Sequence, residues 1–212
     1  MKKVLFLGDS ITDGGRSYEE NVHDYIGQGY TLMAAGVLAM EKPGEYEFTN
    51  KGISGNRIVD LYSRIKCDCW NLQPDYISIL MGVNDVWHEQ ECKNGVEEKR
   101  FDHIYRTLVE ETLERLPNCK VMLMEPFIYP GYTMGTDAAM DELRIGVEAL
   151  AKVVRKIAED YQLVFIPLQA ELDEMAKQYG YKVWTEDGVH PTVEGNALLA
   201  RRWLEGFAKM NG

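Results

Sequence analysis

A serine acts as a nucleophile only when something removes its proton, something orients that base, and donors await the charge forming on the attacked oxygen. The 212-residue chain holds candidates for each task, far apart in sequence. Ser10 follows Gly8-Asp9 at the end of the apolar run 4–7, where the chain turns sharply. Near the other end stands Asp187-Gly188-Val189-His190-Pro191. A carboxylate three residues before a histidine, in a turn, reaches one ring nitrogen and leaves the other free to face a hydroxyl. The same spacing also suits a helix cap or a pair of metal ligands. His23, His88 and His103 stand in no recognisable ligand spacing, which argues against a metal.

Two further stretches suit the oxyanion. Gly55, in Asn50-Lys51-Gly52-Ile53-Ser54-Gly55-Asn56, can offer a backbone N–H from a tight loop that lets an acyl group approach closely. Asn84, in Gly82-Val83-Asn84-Asp85, can offer its side-chain amide, although an Asn-Asp pair at a strand end is also ordinary turn chemistry. Ser54 does not fit a G-x-S-x-G elbow, because Gly55 follows it one place too early, and it reads as a loop residue. Ser10 lacks the second glycine of that elbow, since position 12 is threonine.

These residues need elements to carry them. Apolar runs at 4–7, 76–81, 121–124 and 163–166, and the alternation over 46–49, read as strands. Helices are expected over 25–40, from Ile58 through Leu61 and Ile65, from Phe101 to a stop at Pro117, over 143–158, over 168–179, and through Leu199, Trp203 and Phe207. Residues 11–24, 87–99 and 125–131 read as loops. Strands alternating with helices predict a parallel sheet covered on both faces, one three-layer α/β/α domain spanning 1–212. The candidate residues then follow strands at one edge of the sheet, where open α/β sheets bind ligands.

Composition narrows the partners. A net charge of −11 argues against nucleic acid and anionic membranes and favours a neutral or cationic small substrate. The apolar run 4–7 is too short for a signal peptide and 30–40 too short for a membrane span, so a cytoplasmic protein is expected. Cys67, Cys69, Cys92 and Cys119 complete no zinc pattern and read as reduced structural thiols; no cofactor is expected.

The four blocks at Ser10, Gly55, Asn84 and Asp187-x-x-His190, in that order, resemble the SGNH hydrolases, also called the GDSL esterase/lipase family. The resemblance spans residues 8–191. It implies Ser10 as nucleophile, His190 as general acid/base, Asp187 as its orienter, and an oxyanion hole of Gly55, Asn84 and the Ser10 N–H. It also implies a flavodoxin-like sandwich with five parallel strands. The stretches Gly8 to Asp13 with Gly15-Arg16, Gly27-Gln28-Gly29-Tyr30, and Gly82 to Trp87 are similar to the bacterial acetylxylan esterase branch. That likeness implies an intracellular, oligomeric enzyme removing acetyl groups from xylo-oligosaccharides. Arg57 stands where many relatives carry a small hydroxyl residue, a change expected at the pocket wall. Asp9, Trp87, Phe127, Tyr129 and Trp184 are the expected substrate contacts, the aromatics by stacking on sugar. A lysophospholipase- or thioesterase-type enzyme for longer acyl chains, a sugar acetyltransferase using the same acyl-enzyme, and a non-catalytic binding relative stay open as alternatives.

Overall fold

The first apolar run forms strand β1 (Lys2–Gly8), whose side chains divide between two cores. Val4 and Phe6 enter one, Leu5 and Leu7 the other. A strand covered on both faces reads as a continuous apolar run rather than an alternation. The computed structural model describes residues 1–19, 25–129 and 137–212. Beside β1 lie β2 (Tyr46–Asn50), β3 (Tyr76–Leu80), β4 (Lys120–Met124) and β5 (Val164–Ile166). All neighbours are parallel, in the order β2-β1-β3-β4-β5.

This order reverses direction between β1 and β3, the position where a flavodoxin-like sheet opens a crevice at its carboxyl edge. Gly8 pairs with Leu80 across that boundary. The chain therefore leaves both strands at the same height, just before Ser10 on one side and Asn84 on the other.

The helices are α1 (Ser10–Asp13), α2 (Tyr30–Glu41), α3 (Ile58–Asp68), α4 (Val83–Cys92), α5 (Glu98–Arg115), α6 (Asp137–Asp160), α7 (Gln169–Tyr179) and α8 (Val193–Asn211). One face of the sheet is covered by α2 and α8, packed on each other, with Trp203 of α8 4.9 Å from Phe6 between ring centroids. The other is covered by α3, α5 and most of α6, whose Leu150, Val154 and Ile157 recur at helical spacing. The two faces and the sheet make the expected three layers.

Three segments differ from expectation. The loop expected over 11–24 begins with α1, and Ile11, Thr12 and Asp13 are buried. Four residues are too few to show a period, and the helix is fixed instead by its cap and by Thr12 Oγ1 meeting the Tyr30 hydroxyl at 3.1 Å. Residues 20–24, with His23, lie outside the described residues, as do Pro130 and Gly131 of the later loop. Helix α2 starts at Tyr30 rather than 25, because Gly27 adopts φ +85° and Gly29 an extended conformation. The polar stretch expected as loop from 87 continues helix α4 to Cys92. Only Val83, Asn84 and Asp85 of α4 are buried, so its outer turns carry no apolar stripe. All four cysteines are free. Among the described residues no helix is long and apolar enough to cross a membrane.

Candidate active site

At the end of β1, Asp9 turns the chain into α1. Its Oδ1 accepts the Ile11 N–H at 3.0 Å, satisfying one of the unpaired donors of the helix start. Burial pushes the Asp9 carboxyl up to about 7, against the Ile11 bond and the nearby His190, which both lower it. Ser10 is the first residue of α1 and half-buried. Among the described residues its backbone N–H has no acceptor.

The histidine arrives on a turn held from several sides. Thr185 Oγ1 donates to the His190 carbonyl at 2.9 Å and accepts the Gly188 N–H at 2.8 Å. Asp187 Oδ1 accepts the N–H groups of His190 at 2.7 Å and Val189 at 2.9 Å. That leaves Asp187 Oδ2 facing His190 Nδ1 at 2.5 Å, while His190 Nε2 lies 2.8 Å from Ser10 Oγ. Burial alone would raise Asp187; the bonds from the His190 ring and from the two N–H groups outweigh it and hold the carboxylate down to about 2. Asp187 in turn raises His190 above the ordinary imidazole value, with burial opposing. An ionised Asp187 only accepts, so the Nδ1 atom carries the proton and Nε2 presents its lone pair to the Ser10 hydroxyl.

The other two loops come within the same network. Gly55 adopts φ +78° with open space where a Cβ would stand, so its requirement is conformational, and its N–H has no acceptor among the described residues. Asn84, 4% exposed, donates one amide hydrogen to the Asn56 carbonyl at 3.1 Å and keeps the other. Ser54 is exposed, as a loop residue should be, and its N–H donates to Asp13 Oδ2 at 3.2 Å.

Several supporting residues escaped the sequence reading. Asp13 also accepts the N–H groups of Gly15 and Arg16 and the Tyr18 hydroxyl. Arg16 Nε donates to the Gly52 carbonyl at 2.8 Å, and Asn50 Nδ2 to the Thr12 carbonyl at 2.6 Å. The turn after Ser10 is thereby fastened to the loop that carries Gly55. Asp85 Oδ1 accepts the Ile58 N–H at 3.0 Å and ties α4 to the start of α3; burial pushes its carboxyl up to about 8. Asn196, on the first turn of α8, joins the His190-Pro191 turn to α2. The wording Thr12-Asp13 beside the nucleophile was the available hint for Asp13; nothing marked Asn196.

The expected substrate contacts need correction. Asp9, Phe127 and Tyr129 are no more than 1% exposed, so they are not free to touch a ligand. The Asp9 carboxylate is turned inward to cap α1. The rings of Phe127 and Tyr129 pack edge to face beneath the histidine turn, where the Tyr129 N–H donates to the Gly188 carbonyl at 2.8 Å. Trp87 is half-buried with its ring centroid 6.3 Å from that of His190. Trp184 packs on Tyr179 and donates to the Met175 carbonyl. Arg57 is not among the residues lining the cleft beside Ser10; it grips Asp60 and the Asn94 carbonyl. A cleft of about 320 Å³ opens beside Ser10 and His190, lined also by Ile11, Gly14, Gly15, Gln28, Gly29, Pro191 and Asn196.

A serine, an imidazole and a carboxylate in hydrogen-bonded series, at the carboxyl edge of a parallel sheet, are equipped for acyl transfer. Residues 6–198 match the model of the GDSL-like Lipase/Acylhydrolase family, and the chain belongs to that family. It is a carboxylic ester hydrolase. The chain is 36% identical over 208 residues to an acetylxylan esterase of Geobacillus stearothermophilus, covering 96% of this chain and 92% of the other. The crystal structure of that organism's acetylxylan esterase Axe2 superposes with a TM-score of 0.85 at 34% identity, over 97% of this chain and 93% of the other. Axe2 has also been solved as catalytic mutants in which a serine, an aspartate and a histidine are each replaced by alanine. A GDSL-like lipase structure from Parabacteroides merdae gives a TM-score of 0.92 at 34% identity, over 98% and 95% of the two chains.

Proposed function

We propose that this esterase removes acetyl groups from acetylated carbohydrate, xylo-oligosaccharides in particular, through an acyl-enzyme on Ser10. The observation that carries the catalytic part is the series Asp187, His190, Ser10, with contacts of 2.5 and 2.8 Å. The substrate follows the acetylxylan esterase relative and the small cleft beside the serine.

His190 Nε2 takes the Ser10 proton as Oγ attacks the acetyl carbonyl. Negative charge then collects on the former carbonyl oxygen, where the N–H groups of Ser10 and Gly55 and the remaining amide hydrogen of Asn84 receive it. All three donors lack another acceptor for that hydrogen among the described residues, as donors reserved for a transient charge must. Collapse of the intermediate breaks the bond to the sugar oxygen, which leaves with the proton from His190. Water then attacks the acetyl-enzyme by the same steps and frees acetate. Asp187 keeps the ring in the tautomer that can accept and steadies the imidazolium once formed.

The test compares wild type with Ser10→Ala on nitrophenyl esters from acetate to octanoate, and on acetylated xylobiose. Acetate turnover that falls with chain length, vanishes in the variant, and extends to acetate release from the sugar is the expected result. A maximum at octanoate refutes the short acyl group. Unchanged activity in Ser10→Ala refutes the nucleophile.

A further inference from the structure

The cleft beside the reacting pair contains one polar side chain without a partner. Ile11, Pro191 and the glycines of its lining bring no polar side-chain atom. Asn196 is engaged at both ends: its Oδ1 accepts the Tyr30 N–H at 2.8 Å, and its Nδ2 donates to the carbonyls of Pro191 and Thr192 at 3.1 and 2.9 Å. Ser10 and His190 face each other. Gln28 remains, exposed, its carboxamide unbonded among the described residues.

The chain holds Gln28 there firmly. Its N–H donates to the Gly14 carbonyl at 2.8 Å, immediately after the nucleophile helix. On one side Gly27, at φ +85°, lies so close that a Cβ would come within 2.4 Å of the Asp13 carbonyl oxygen. On the other, a Cβ at Gly29 would come within 3.1 Å of Asn196 Oδ1. The backbone of residue 28 is therefore pressed onto the turn after Ser10 and fastened to α8, which leaves only its side chain to move. A fixed stem and an uncommitted amide at the mouth of a reactive cleft are what preorganised recognition requires.

The side of the ester that meets Gln28 follows from proton transfer. The leaving oxygen must lie by His190 Nε2, and His190 is part of this cleft's wall. The donors assigned to the carbonyl oxygen, Gly55 in the loop after β2 and Asn84 on the first turn of α4, are not among its lining residues. The cleft therefore receives the alcohol half. We propose that Gln28 is a specificity-determining residue that reads this alcohol as a neutral sugar through its hydroxyl groups. The proposal rests on the deacetylase reading and names the residue that recognises the sugar. A carboxamide donates from its NH₂ and accepts at its oxygen, so it matches hydroxyls, which do both. Apart from His190, the described lining residues are uncharged, which favours a neutral polyol over a phosphorylated alcohol.

The experiment sets Gln28→Leu and Gln28→Ala beside wild type, with kcat/KM measured on acetylated xylobiose and on nitrophenyl acetate, whose alcohol has no sugar hydroxyls. Thermal melts confirm that each variant is folded. The expected result is about a tenfold fall in the ratio of sugar to nitrophenyl kcat/KM, from the loss of one or two hydrogen bonds to the leaving alcohol. A ratio that changes less than threefold, while wild type deacetylates the sugar, overturns the role of Gln28 alone. Wild type that cleaves nitrophenyl acetate but frees no acetate from the sugar overturns the carbohydrate reading, and this proposal with it.

Discussion

Replacing Asp187 with asparagine isolates one property of the site, the tautomer of His190. Asp187 Oδ1 already accepts two backbone N–H groups, at 2.7 and 2.9 Å. The new carboxamide oxygen must stay there, because the flipped amide would set its NH₂ against both donors. The Nδ2 group then faces His190 Nδ1 across the former 2.5 Å contact and can only donate. That forces the ring proton onto Nε2, the atom that must accept from Ser10. The turn survives and the base does not. The same exchange in a Ser-His-Asp triad lowers kcat by about 10⁴. Four decades at about 1.4 kcal/mol each amount to about 5.5 kcal/mol of lost transition-state stabilisation. Stability changes far less. Two hydrogen bonds pass from a charged to a neutral acceptor in a half-exposed turn, a loss of about 1 kcal/mol and about 2–4 °C in Tm. Saturation kinetics on nitrophenyl acetate, with a thermal melt of the same sample, make the measurement. In wild type the acid limb of kcat/KM has its midpoint above about 6.5, because Asp187 raises His190 and a protonated ring cannot accept the serine proton. A variant within tenfold of wild-type kcat, or one that has lost activity only by unfolding, would refute the reasoning.

Two other outcomes test the surroundings. Asn84→Ala should lower kcat by about 10²–10³ with little change in KM, since the donor acts on charge present only in the transition state; a loss below threefold removes Asn84 from the oxyanion hole. Asp85→Asn should keep the bond from the Ile58 N–H while abolishing an ionisation. Asp85 is raised by burial from about 4 to about 8. The unfolded chain ionises first, so wild-type stability falls as pH rises between those values, by up to about 1.4 kcal/mol per pH unit. The Tm of the variant relative to wild type should therefore climb from pH 5 to pH 8, and a constant difference would show that the group is not held neutral.

The sequence made most of the sheet legible because β1, β3 and β4 join an apolar run to a glycine or polar break, as in Val4-Leu5-Phe6-Leu7-Gly8. The stretches at Ser10, Gly55 and Asn84 were legible for the same reason, as polar residues or glycines placed just past those strands, whereas Asp187 and His190 follow α7 and were legible by their spacing alone. Helix α4 was not, because only its first turn is buried and its remaining turns show solvent a polar surface. Phe127 and Tyr129 misled because an aromatic residue in a loop reads the same whether it faces a ligand or, as here, fills the space beneath a turn. Asn196 was invisible in a stronger sense. It joins segments that meet only in the folded chain, and its value lies in Tyr30, 166 residues away.

The contact between Ser10 and His190 spans 180 positions along the chain. Bringing such distant residues together costs loop-closure entropy that local structure cannot offset in advance. The His190 turn rests on the segment that follows β4 and on α8, so both must be in place before the pair can meet. An unfinished chain leaving the ribosome therefore carries its serine early but holds no working base. In refolding, the return of esterase activity will trail the return of helical signal, and it times the final closure of the fold.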